Sequence, residues 1–326
     1  MDSFLAGMPK AELHMHLEGS LEPKLLARLA EKNGVAVPIP DGAFTDLTSF
    51  LSQYYPAMQA LVTRQDFYDL AYAYLAKAHE QNIVYAELFF DPQAHTSRGV
   101  SFADVITGYH DATVAARRDL GIQSALILCF LRDHPVESAE QTLEAALPFT
   151  DLIVGVGLDS DERDNPPSLF AAVFARARAE GFRLTMHCDV DQAGSIENIR
   201  QVIEDIGVDR IDHGTNILED ARLVDLVIDR GIGLTSCPLS NGIVSEGMKA
   251  TELVELLRRG VRITVNSDDP AYFGGYLTEN LQALAGATDL TAAEFVQLQR
   301  NAFEIAWISD ERRAELLAEL DAYANA

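Results

Sequence analysis

The sequence contains little cysteine, few basic residues and no long apolar run. Its three cysteines, Cys129, Cys188 and Cys237, are far apart and odd in number. That usage excludes a disulfide framework and a Cys-x-x-Cys zinc site as organising features. We therefore expect reduced, buried thiols near strand ends.

Basic residues are outnumbered, since 25 Lys and Arg stand against 50 Asp and Glu for a formal net charge of −25. A surface of this sign repels phosphate backbones and anionic membranes, so neither nucleic acid nor a membrane is expected as a partner. No stretch approaches the roughly 18 apolar residues that span a bilayer, and residues 1–9 lack the basic and apolar parts of a secretory signal. We expect a soluble, cytoplasmic protein with a small-molecule partner, and self-association into a homo-oligomer stays open.

Signature motifs of several enzyme classes are absent as well. There is no Gly-x-Gly-x-x-Gly loop, no Walker phosphate loop, no nucleophile elbow and no His-Glu-x-x-His. The His-x-Glu and Pro-Cys-x-x-Cys signature of one group of zinc nucleobase deaminases is also missing. Cys237-Pro238 has neither that order nor the second cysteine.

What the chain does have is an alternation of short apolar runs with longer stretches of helical spacing. Eight runs are too short for helices and rich in Ile, Val and Leu, so they predict buried parallel strands joined by helices. Eight such units predict a closed (β/α)8 TIM barrel as a single domain over residues 1–326, with an open doubly wound sheet as the alternative. The predicted strands are 12–17, 83–90, 124–131, 153–158, 183–188, 210–212, 233–236 and 262–267, and the predicted helices include 23–32, 66–81, 102–120, 167–180 and 251–259.

Two segments lie outside this repeating pattern. Residues 35–64 form an insertion after the first helix, which either covers the barrel mouth as a lid or simply packs against the barrel. After the eighth strand, Thr291 and Glu294 form a capping box that predicts a further helix. Residues 310–326 predict one more amphipathic helix, so the domain carries extra C-terminal helices.

Polar residues fall at the carboxyl ends of the predicted strands, where active sites of this barrel lie. His14 and His16 stand two residues apart on the first strand, so they share one face, here the barrel interior. His187 follows the apolar run of the fifth strand, and Asp268 follows that of the eighth. Three imidazoles and one carboxylate leave a position for water and suit a single zinc ion, with iron or manganese as alternatives.

Three other polar residues stand at the same end. His213 ends the sixth strand, where it can orient the attacking water and help to move its proton, or serve as a fourth ligand or a structural residue. Asp269 follows the proposed ligand and points away from it, toward the substrate, or else caps the helix that begins at Pro270. His95, after the second strand, has either a substrate role or a loop role.

Three motifs occur at these strand ends in a consistent order. Residues 9–20 read PKAELHMHLEGS, residues 210–214 read RIDHG, and residues 265–270 read VNSDDP. Together they resemble the adenosine/adenine deaminase family of the amidohydrolase superfamily, and the likeness covers nearly the whole chain. The resemblance implies a distorted (β/α)8 barrel with one zinc ion per chain, which removes the 6-amino group of a purine by hydrolysis.

Further features are similar to the adenine deaminase branch of that family. Glu18 stands where adenosine deaminases carry an Asp that meets the ribose, and its longer side chain can fill the space of the sugar. Three segments also resemble that branch: residues 89–93 (FFDPQ), 155–160 (GVGLDS) and 271–276 (AYFGGY).

The resemblance implies a set of substrate contacts. Asp159 and Ser160 lie in the branch-like segment after strand four, and a backbone N–H near Ser160 is expected to meet purine N3. Asp269 is expected to accept a hydrogen bond from N7–H. Glu18 is expected to face the ring edge where a ribose would otherwise sit.

The fifth strand departs from the family pattern. The family reads His-Ala-Gly-Glu there, and that Glu protonates purine N1. This chain reads His187-Cys188-Asp189-Val190, so a valine stands at the Glu position. The expected acid is Asp189, which shares the strand face of His187, or Asp191.

The predicted reaction is zinc-dependent hydrolysis of adenine to hypoxanthine and ammonia. Its predicted catalytic residues are His213, Asp268 and one of Asp189 and Asp191. The altered strand-five loop leaves two alternatives open. The chain could deaminate another aminopurine or an N6-substituted adenine, including adenosine, or it could be a catalytically inactive purine-binding relative.

Overall fold

The computed structural model describes residues 1–40, 42–188, 193–245 and 247–326. Eight parallel strands follow one another in chain order, each hydrogen-bonded to the next. A parallel bridge between Met15 and Asp268 joins the segment after the last strand to the first strand. The predicted (β/α)8 barrel is confirmed. Its strands are β1 (Lys10–His16), β2 (Ile83–Phe90), β3 (Gln123–Leu131), β4 (Gly155–Asp159), β5 (Arg183–Cys188), β6 (Arg210–His213), β7 (Gly233–Ser236) and β8 (Ile263–Val265).

Strand bounds differ little from prediction except in β8, which was expected over 262–267 and stops at Val265. The Asn266 N–H still donates to the Ser236 carbonyl of β7 at 2.9 Å, but Asn266 and Ser267 also bond to β1 through their side chains. Asn266 Oδ1 accepts a backbone N–H of β1 at 2.8 Å, and the Ser267 hydroxyl donates to Glu12 Oε1 at 2.5 Å. The chain therefore turns early, which places the residues after Ser267 at the barrel mouth.

Helices cover the outside of the barrel and mostly match the predicted spans. The helix expected over 167–180 begins as a 3-10 turn, Pro167–Phe170, before its α-helical part. The described α-helices are α1 (Asp2–Gly7), α2 (Pro23–Asn33), α3 (Leu47–Ala57), α4 (Arg64–Glu80), α5 (Pro92–Thr96), α6 (Phe102–Leu120), α7 (Val136–Ala146), α8 (Ala171–Ala179), α9 (Ser195–Arg200), α10 (Ala221–Arg230), α11 (Pro238–Val244), α12 (Ala250–Arg258), α13 (Pro270–Phe273), α14 (Leu277–Ala287), α15 (Ala292–Ile305) and α16 (Asp310–Ala324).

The strands are buried on both faces, as parallel strands flanked by helices must be. Along β1, Leu13 and Met15 belong to the main hydrophobic core. The alternating residues Glu12, His14 and His16 are buried too, on the interior face. The barrel interior is therefore polar toward its carboxyl end, where the apolar core gives way to these side chains.

The insertion after α2 folds across the mouth of the barrel. Its helix α3 begins at a capping box built on Asp46. The ring of Phe50 lies 4.7 Å from that of Phe273, and the ring of Tyr54 lies 5.5 Å from that of Tyr272, centroid to centroid. These residues form an aromatic cluster separate from the main core. The insertion is thus anchored to α13, directly after the last strand end.

The first C-terminal helix, α15, ties the two ends of the sheet together. Thr291 and Glu294 form its predicted capping box. From the same helix, Gln299 Oε1 accepts the backbone N–H of Ala11 at 3.0 Å, and Asn301 Nδ2 donates to the backbone carbonyl of Ile263 at 2.9 Å. These bonds hold β1 and β8 next to each other, where the barrel closes.

Two expectations from composition can be compared with the structure. All three cysteines are free and buried, as expected. Within the described ranges, none of the helices combines the length and the apolarity needed to cross a membrane.

Candidate active site

The strand ends that were expected to carry chemistry meet in one pocket at the carboxyl mouth of the barrel. Helices α3, α11 and α13 complete its wall. From strand ends and the residues after them the lining contains His16, Asp91, Asp159, Ser160, His187, His213, Asp268 and Asp269, and from helices it contains Leu47, Phe50, Leu51, Tyr54, Tyr55, Ser240, Asn241, Val244 and Phe273.

The four predicted metal ligands bring their donor atoms together. Asp268 Oδ1 lies 3.2 Å from His14 Nε2 and 3.5 Å from His16 Nε2, and His16 Nε2 lies 3.2 Å from His187 Nε2. An ion held at about 2.1 Å by four tetrahedral ligands needs donor atoms about 3.4 Å apart. His14 Nε2 is buried and has no hydrogen-bond partner among the described residues. The donor set and its spacing therefore fit one divalent cation.

The same histidines turn their other ring nitrogen toward an oxygen. Such partners hold the ring in place and keep the proton on Nδ1, which leaves Nε2 free for a metal. Among the described residues, His14 makes this hydrogen bond, from Nδ1 to Thr235 Oγ1 at 2.9 Å. His16 Nδ1 and His187 Nδ1 only face a carboxylate, Asp159 Oδ2 at 3.5 Å and Asp212 Oδ2 at 3.6 Å.

Burial sets the protonation states of this cluster. It lowers the pKa of His16 to about 4, and with the neighbouring histidines it lowers the pKa of His187 well below its usual range. Burial alone would raise the pKa of Asp268, but the surrounding imidazoles, His14 first, lower it well below its usual value. Neutral imidazoles beside an ionised carboxylate are the states that bind a metal. His14 differs from the other two: burial would lower its pKa, but Asp268 and Asp212 outweigh burial and raise it.

His213 stands beside Asp268 but faces its other oxygen. His213 Nε2 lies 3.7 Å from Asp268 Oδ2, whereas His14 and His16 face Oδ1. Among the described residues, the four-residue group whose donor atoms all lie within 4.8 Å of one another is His14, His187, His213 and Asp268. It contains His213 in place of His16, so proximity alone would admit His213 as a ligand. His16 Nε2 makes shorter contacts, 3.2 Å to His187 Nε2 and 3.5 Å to Asp268 Oδ1. These distances favour His16 as the metal ligand and leave His213 able to face a water.

Three residues of the pocket have left-handed backbone although none is glycine. Their φ angles are 73° at Ser160, 58° at His213 and 61° at Asp268. Such conformations cost about 1–3 kcal/mol each and persist only where the surroundings enforce them. Each of these residues ends or closely follows a strand. The strained turns therefore coincide with the points where the chain presents side chains to the pocket.

Asp269 lines the pocket next to Asp268 and rests against Gly19. A Cβ added at Gly19 would lie 1.9 Å from Asp269 Oδ1, so only glycine leaves room for this carboxylate. Asp269 is also the residue before α13, yet its side chain makes no capping hydrogen bond. Its Oδ1 has no partner among the described residues. The carboxylate is thus placed at the helix start and remains available to a ligand.

Glu18 is fully buried and is not part of the pocket lining. Its Oε1 accepts hydrogen bonds from the Tyr109 hydroxyl at 2.8 Å and from His95 Nε2 at 2.9 Å. Arg98 Nη2 donates to His95 Nδ1 at 2.8 Å, which leaves the imidazole proton on the side of Glu18. Burial would raise the pKa of Glu18, but His95 and Tyr109 lower it. His95 therefore supports Glu18, and contact between Glu18 and a substrate stays a prediction.

Asp91 is a pocket residue that sequence reasoning did not identify as one. It directly follows β2, and its carboxylate lies within 4.8 Å of both Asp159 and a ring nitrogen of His16. Burial raises the pKa of Asp159 to about 7 and, together with the charge of Asp159, raises that of Asp91 well above its usual value. The strand-end rule that singled out His213 also applies to β2 and could have found Asp91.

The tyrosines of α3 have no comparable sequence signal. Tyr55 donates its hydroxyl proton to Ser160 Oγ at 2.7 Å, which links the insertion to the turn after β4. The Tyr54 hydroxyl is buried near Asp269, and burial raises the pKa of Tyr54 well above its usual value. Both positions depend on how the insertion crosses the mouth, which local sequence does not encode.

The two candidate acids, Asp189 and Asp191, lie outside the described residues. What the structure describes is the end of β5 just before them. The fully buried Arg132 donates from Nη1 to the His187 carbonyl at 2.9 Å and lies 3.4 Å from Glu162. This guanidinium holds the strand end in position, and the roles of the two acids stay predictions.

Known proteins are similar to this chain in sequence and in fold. A family model described as adenosine deaminase matches residues 9–323. The adenine deaminase of Trichlorobacter lovleyi is 46% identical over 333 residues, covering 99% of this chain and 95% of that protein. The crystal structure of an adenine deaminase from Arthrobacter aurescens gives a TM-score of 0.94 at 39% identity, covering 98% of this chain and 100% of that one. A zinc-bound amidohydrolase from Burkholderia ambifaria gives 0.90 at 27% identity, covering 99% of this chain and 93% of that one.

Proposed function

Since the chain belongs to the adenosine deaminase family and removes an amino group from a purine base by hydrolysis, we propose that the base is adenine and the metal is zinc. The products are then hypoxanthine and ammonia. The observation that carries this proposal is the group of His14, His16, His187 and Asp268, with contacts of 3.2, 3.5 and 3.2 Å between donor atoms, beside a pocket lined by further carboxylates.

Zinc is favoured over other metals by the chemistry of the donors. The members of this family are metal-dependent, and three imidazole nitrogens with one carboxylate oxygen at tetrahedral spacing suit zinc best. We assign His14, His16, His187 and Asp268 as its ligands. When bound, the metal supplies a water whose pKa is lowered toward neutrality.

His213 and Asp268 are assigned to the proton of that water. His213 Nε2 and Asp268 Oδ2 lie 3.7 Å apart, so one water can contact both. Either group can take a proton as the oxygen adds to C6 and return it to the departing amine. Asp189 or Asp191 is assigned to protonation of N1, which keeps negative charge from building up on the ring.

The remaining contacts orient the base. Asp269 accepts a hydrogen bond from N7–H, and a backbone N–H near Ser160 meets N3. Asp159 stands beside Ser160 in the pocket wall, and Glu18 supports that wall from the layer of side chains behind it. The net charge of −25 supports a small neutral substrate and no polyanionic partner. A cytoplasmic location and self-association stay predictions.

The test is turnover by metal-depleted protein reloaded with zinc. We expect the ultraviolet change from adenine to hypoxanthine to accompany stoichiometric ammonia release. His213→Ala, with its metal content measured, is expected to lose at least 100-fold in kcat. If zinc-loaded protein turns over another aminopurine but not adenine, the substrate assignment is wrong and the chemistry stands.

A second candidate substrate is an N6-substituted adenine or another aminopurine. The observation that favours it is Val190 at the position of the family's acidic residue, since a changed acid loop changes the surroundings of the amino group. Parallel rates on adenine, N6-methyladenine and adenosine separate the candidates. Tight binding of adenine without ammonia release would instead indicate an inactive binding protein.

A further inference from the structure

Asp91 and Asp159 form a pair of carboxyl groups in the pocket wall. The described residues do not supply enough hydrogen-bond donors for the oxygens of this pair. Asp91 is 2% and Asp159 3% exposed. Among the described residues, both oxygens of Asp159 and Oδ1 of Asp91 lack a hydrogen-bond partner. The neighbours of Asp159 are Asp91, His16 at 3.5 Å and the weakly donating thiol of Cys129.

Other buried carboxylates of the barrel are saturated with donors. Glu12 receives the Tyr74 hydroxyl at 2.6 Å together with the N–H and hydroxyl of Ser267, and Glu87 pairs with Arg210 at 2.5 Å. An unsatisfied buried acceptor costs about 1–3 kcal/mol. Glu12 and Glu87 avoid that cost, whereas the carboxylates that lack donors among the described residues lie in the pocket wall or, like Glu18 Oε2, directly behind it. Their position indicates a ligand that supplies the missing partner.

The barrel topology places this pair opposite the reacting end of the site. In an eight-stranded barrel with strands in chain order, β2 faces β6 and β4 faces β8. Asp91 follows β2 and Asp159 ends β4, so they face His213 on β6 and Asp269 after β8. A purine with C6 at His213 and N7 at Asp269 then turns its N3–N9 edge toward the pair.

We propose that Asp91 and Asp159 hydrogen-bond the unsubstituted N9 side of a free purine base and thereby exclude purines that carry a sugar at N9. This inference rests on the proposed function, because it presumes a purine bound with C6 at the metal. According to this inference, Asp91 and Asp159 are the residues that discriminate against nucleosides. Glu18 acts behind them, since its Oε1 accepts the Asp91 N–H at 3.4 Å.

The chemistry of the two carboxyl groups explains why a free base would be selected. When the imidazole proton is on N9, a free base offers an N–H there; when the proton is on N7, where it bonds to Asp269, the base offers a lone pair at N9. A carboxyl pair can accept the first or, when it holds a proton, donate to the second. A sugar or methyl group at N9 offers neither, so it leaves buried oxygens without partners, the situation that gives enzymes their largest selectivities.

The test compares adenine with 9-methyladenine, which carries a methyl group at N9 and therefore cannot carry a proton on N7 either. Because Asp269 is unchanged in Asp91→Ala, the change of the adenine to 9-methyladenine ratio in that variant isolates the pair. For the wild type we expect kcat/KM on 9-methyladenine to be at least 1,000-fold lower than on adenine, in line with sites built to bond a polar group. In Asp91→Ala, the adenine value is expected to fall 10- to 100-fold. The adenine to 9-methyladenine ratio is expected to fall at least 30-fold. Asp91 is chosen because Asp159 also faces the metal-ligand candidate His16.

Two controls keep the result specific. Asp229→Ala removes a negative charge from an exposed position near the end of α10 and is expected to leave the ratio within twofold. Metal content and melting temperature of each variant show that it is folded. Calorimetric binding of purine and 9-methylpurine to wild type and Asp91→Ala measures the same preference without turnover.

The outcomes separate this inference from the proposed function. Efficient turnover of adenine with an unchanged ratio in Asp91→Ala would overturn the role of the pair and leave the function intact. If no aminopurine is turned over, the proposed function is wrong. The calorimetric preference for purine over 9-methylpurine then still tests whether the pair recognises an unsubstituted N9. A wild type that binds purine and 9-methylpurine equally well overturns the inference in either case.

Discussion

Gly19 leaves the space that the Asp269 carboxylate occupies. With alanine, the new Cβ would lie 1.9 Å from Oδ1 and 2.7 Å from the Cα of Asp269, so the carboxylate must move. A displacement of about 1 Å in an orienting group costs on the order of 100-fold in rate. We expect Gly19→Ala to lose at least 100-fold in kcat/KM on adenine at unchanged metal content. Gly286→Ala is the control, because a Cβ there meets nothing within 4 Å; equal activity of both variants would refute the prediction.

Asp212 is next to the metal-ligand candidate His187 and is linked to a second one, His14, through the Thr235 hydroxyl. It accepts the hydroxyls of Thr185 at 2.6 Å and Thr235 at 2.8 Å, and it faces His187 Nδ1 at 3.6 Å. Loss of such a partner typically weakens metal binding 10- to 100-fold. We expect this range for zinc affinity in Asp212→Asn, measured by competition with a chromophoric chelator. Asp209→Asn is the control and is expected to bind zinc like the wild type.

At the scale of elements, Asp66 joins three segments near the insertion. Its carboxylate is enclosed and receives Lys32 Nζ at 2.6 Å, Asn33 Nδ2 at 2.9 Å and the backbone N–H groups of Val62 and Thr63 at 3.0 and 2.8 Å. It thereby connects the end of α2, the end of the insertion and the start of α4.

Removal of this carboxylate is predicted to destabilise the fold. Asp66→Ala leaves four donors without an acceptor, and we expect the free energy of unfolding to fall by about 3 kcal/mol in urea titrations. Asp69→Ala, on the same helix with a pairing to Arg28 at 3.3 Å, is expected to cost under about 1 kcal/mol. Equal losses in the two variants would contradict the assignment.

The same group predicts a pH dependence. Burial raises the pKa of Asp66, but Lys32 and the backbone donors outweigh it and lower the pKa below its usual value. A carboxyl with a lowered folded pKa contributes its stability above the unfolded value of about 3.9 and loses it as the pH falls through the folded pKa. The stability difference between wild type and Asp66→Ala is therefore expected to be constant above about pH 5 and to shrink in acid.

At the scale of the whole molecule, the proposed metal connects strands that are distant in sequence. Its candidate ligands lie on β1, on β5 and after β8, so the ion would tie the barrel closure to the opposite wall. A metal present at about 1,000 times its Kd stabilises the folded state by about 4 kcal/mol. We expect chelation to lower the melting temperature by roughly 5–10 °C and zinc to restore it. An unchanged melting temperature, with metal loss verified, would contradict this.

The net charge makes a second prediction at this scale. The charge of −25 destabilises the compact state by self-repulsion, which salt screens. Salt also weakens the many exposed ion pairs, but these contribute only about 0–1 kcal/mol each. We expect the melting temperature to rise by a few degrees between 20 and 500 mM NaCl, and equally with KCl. A fall would show that the ion pairs outweigh the repulsion.

Much of the fold could be predicted from the sequence, because strand and helix periods are local properties. The spans of β2, β5, β7 and α6 match the predicted runs to the residue. The early end of β8 could not be predicted, since it results from bonds between Asn266, Ser267 and β1. In a closed barrel such pairings depend on strands that are distant in sequence.

For the site, the residues that reach the barrel mouth could be predicted from the sequence. The carboxyl ends of parallel strands meet at one rim of the barrel, so this topology brings His14, His16, His187 and Asp268 together. Only the tertiary structure decided which polar groups line the pocket and which support it. Asp91 meets Asp159 in the wall, whereas Glu18 stands one layer behind. The physical reason is that depth in the wall depends on barrel packing and on the path of the insertion, which arise from contacts between distant parts of the chain.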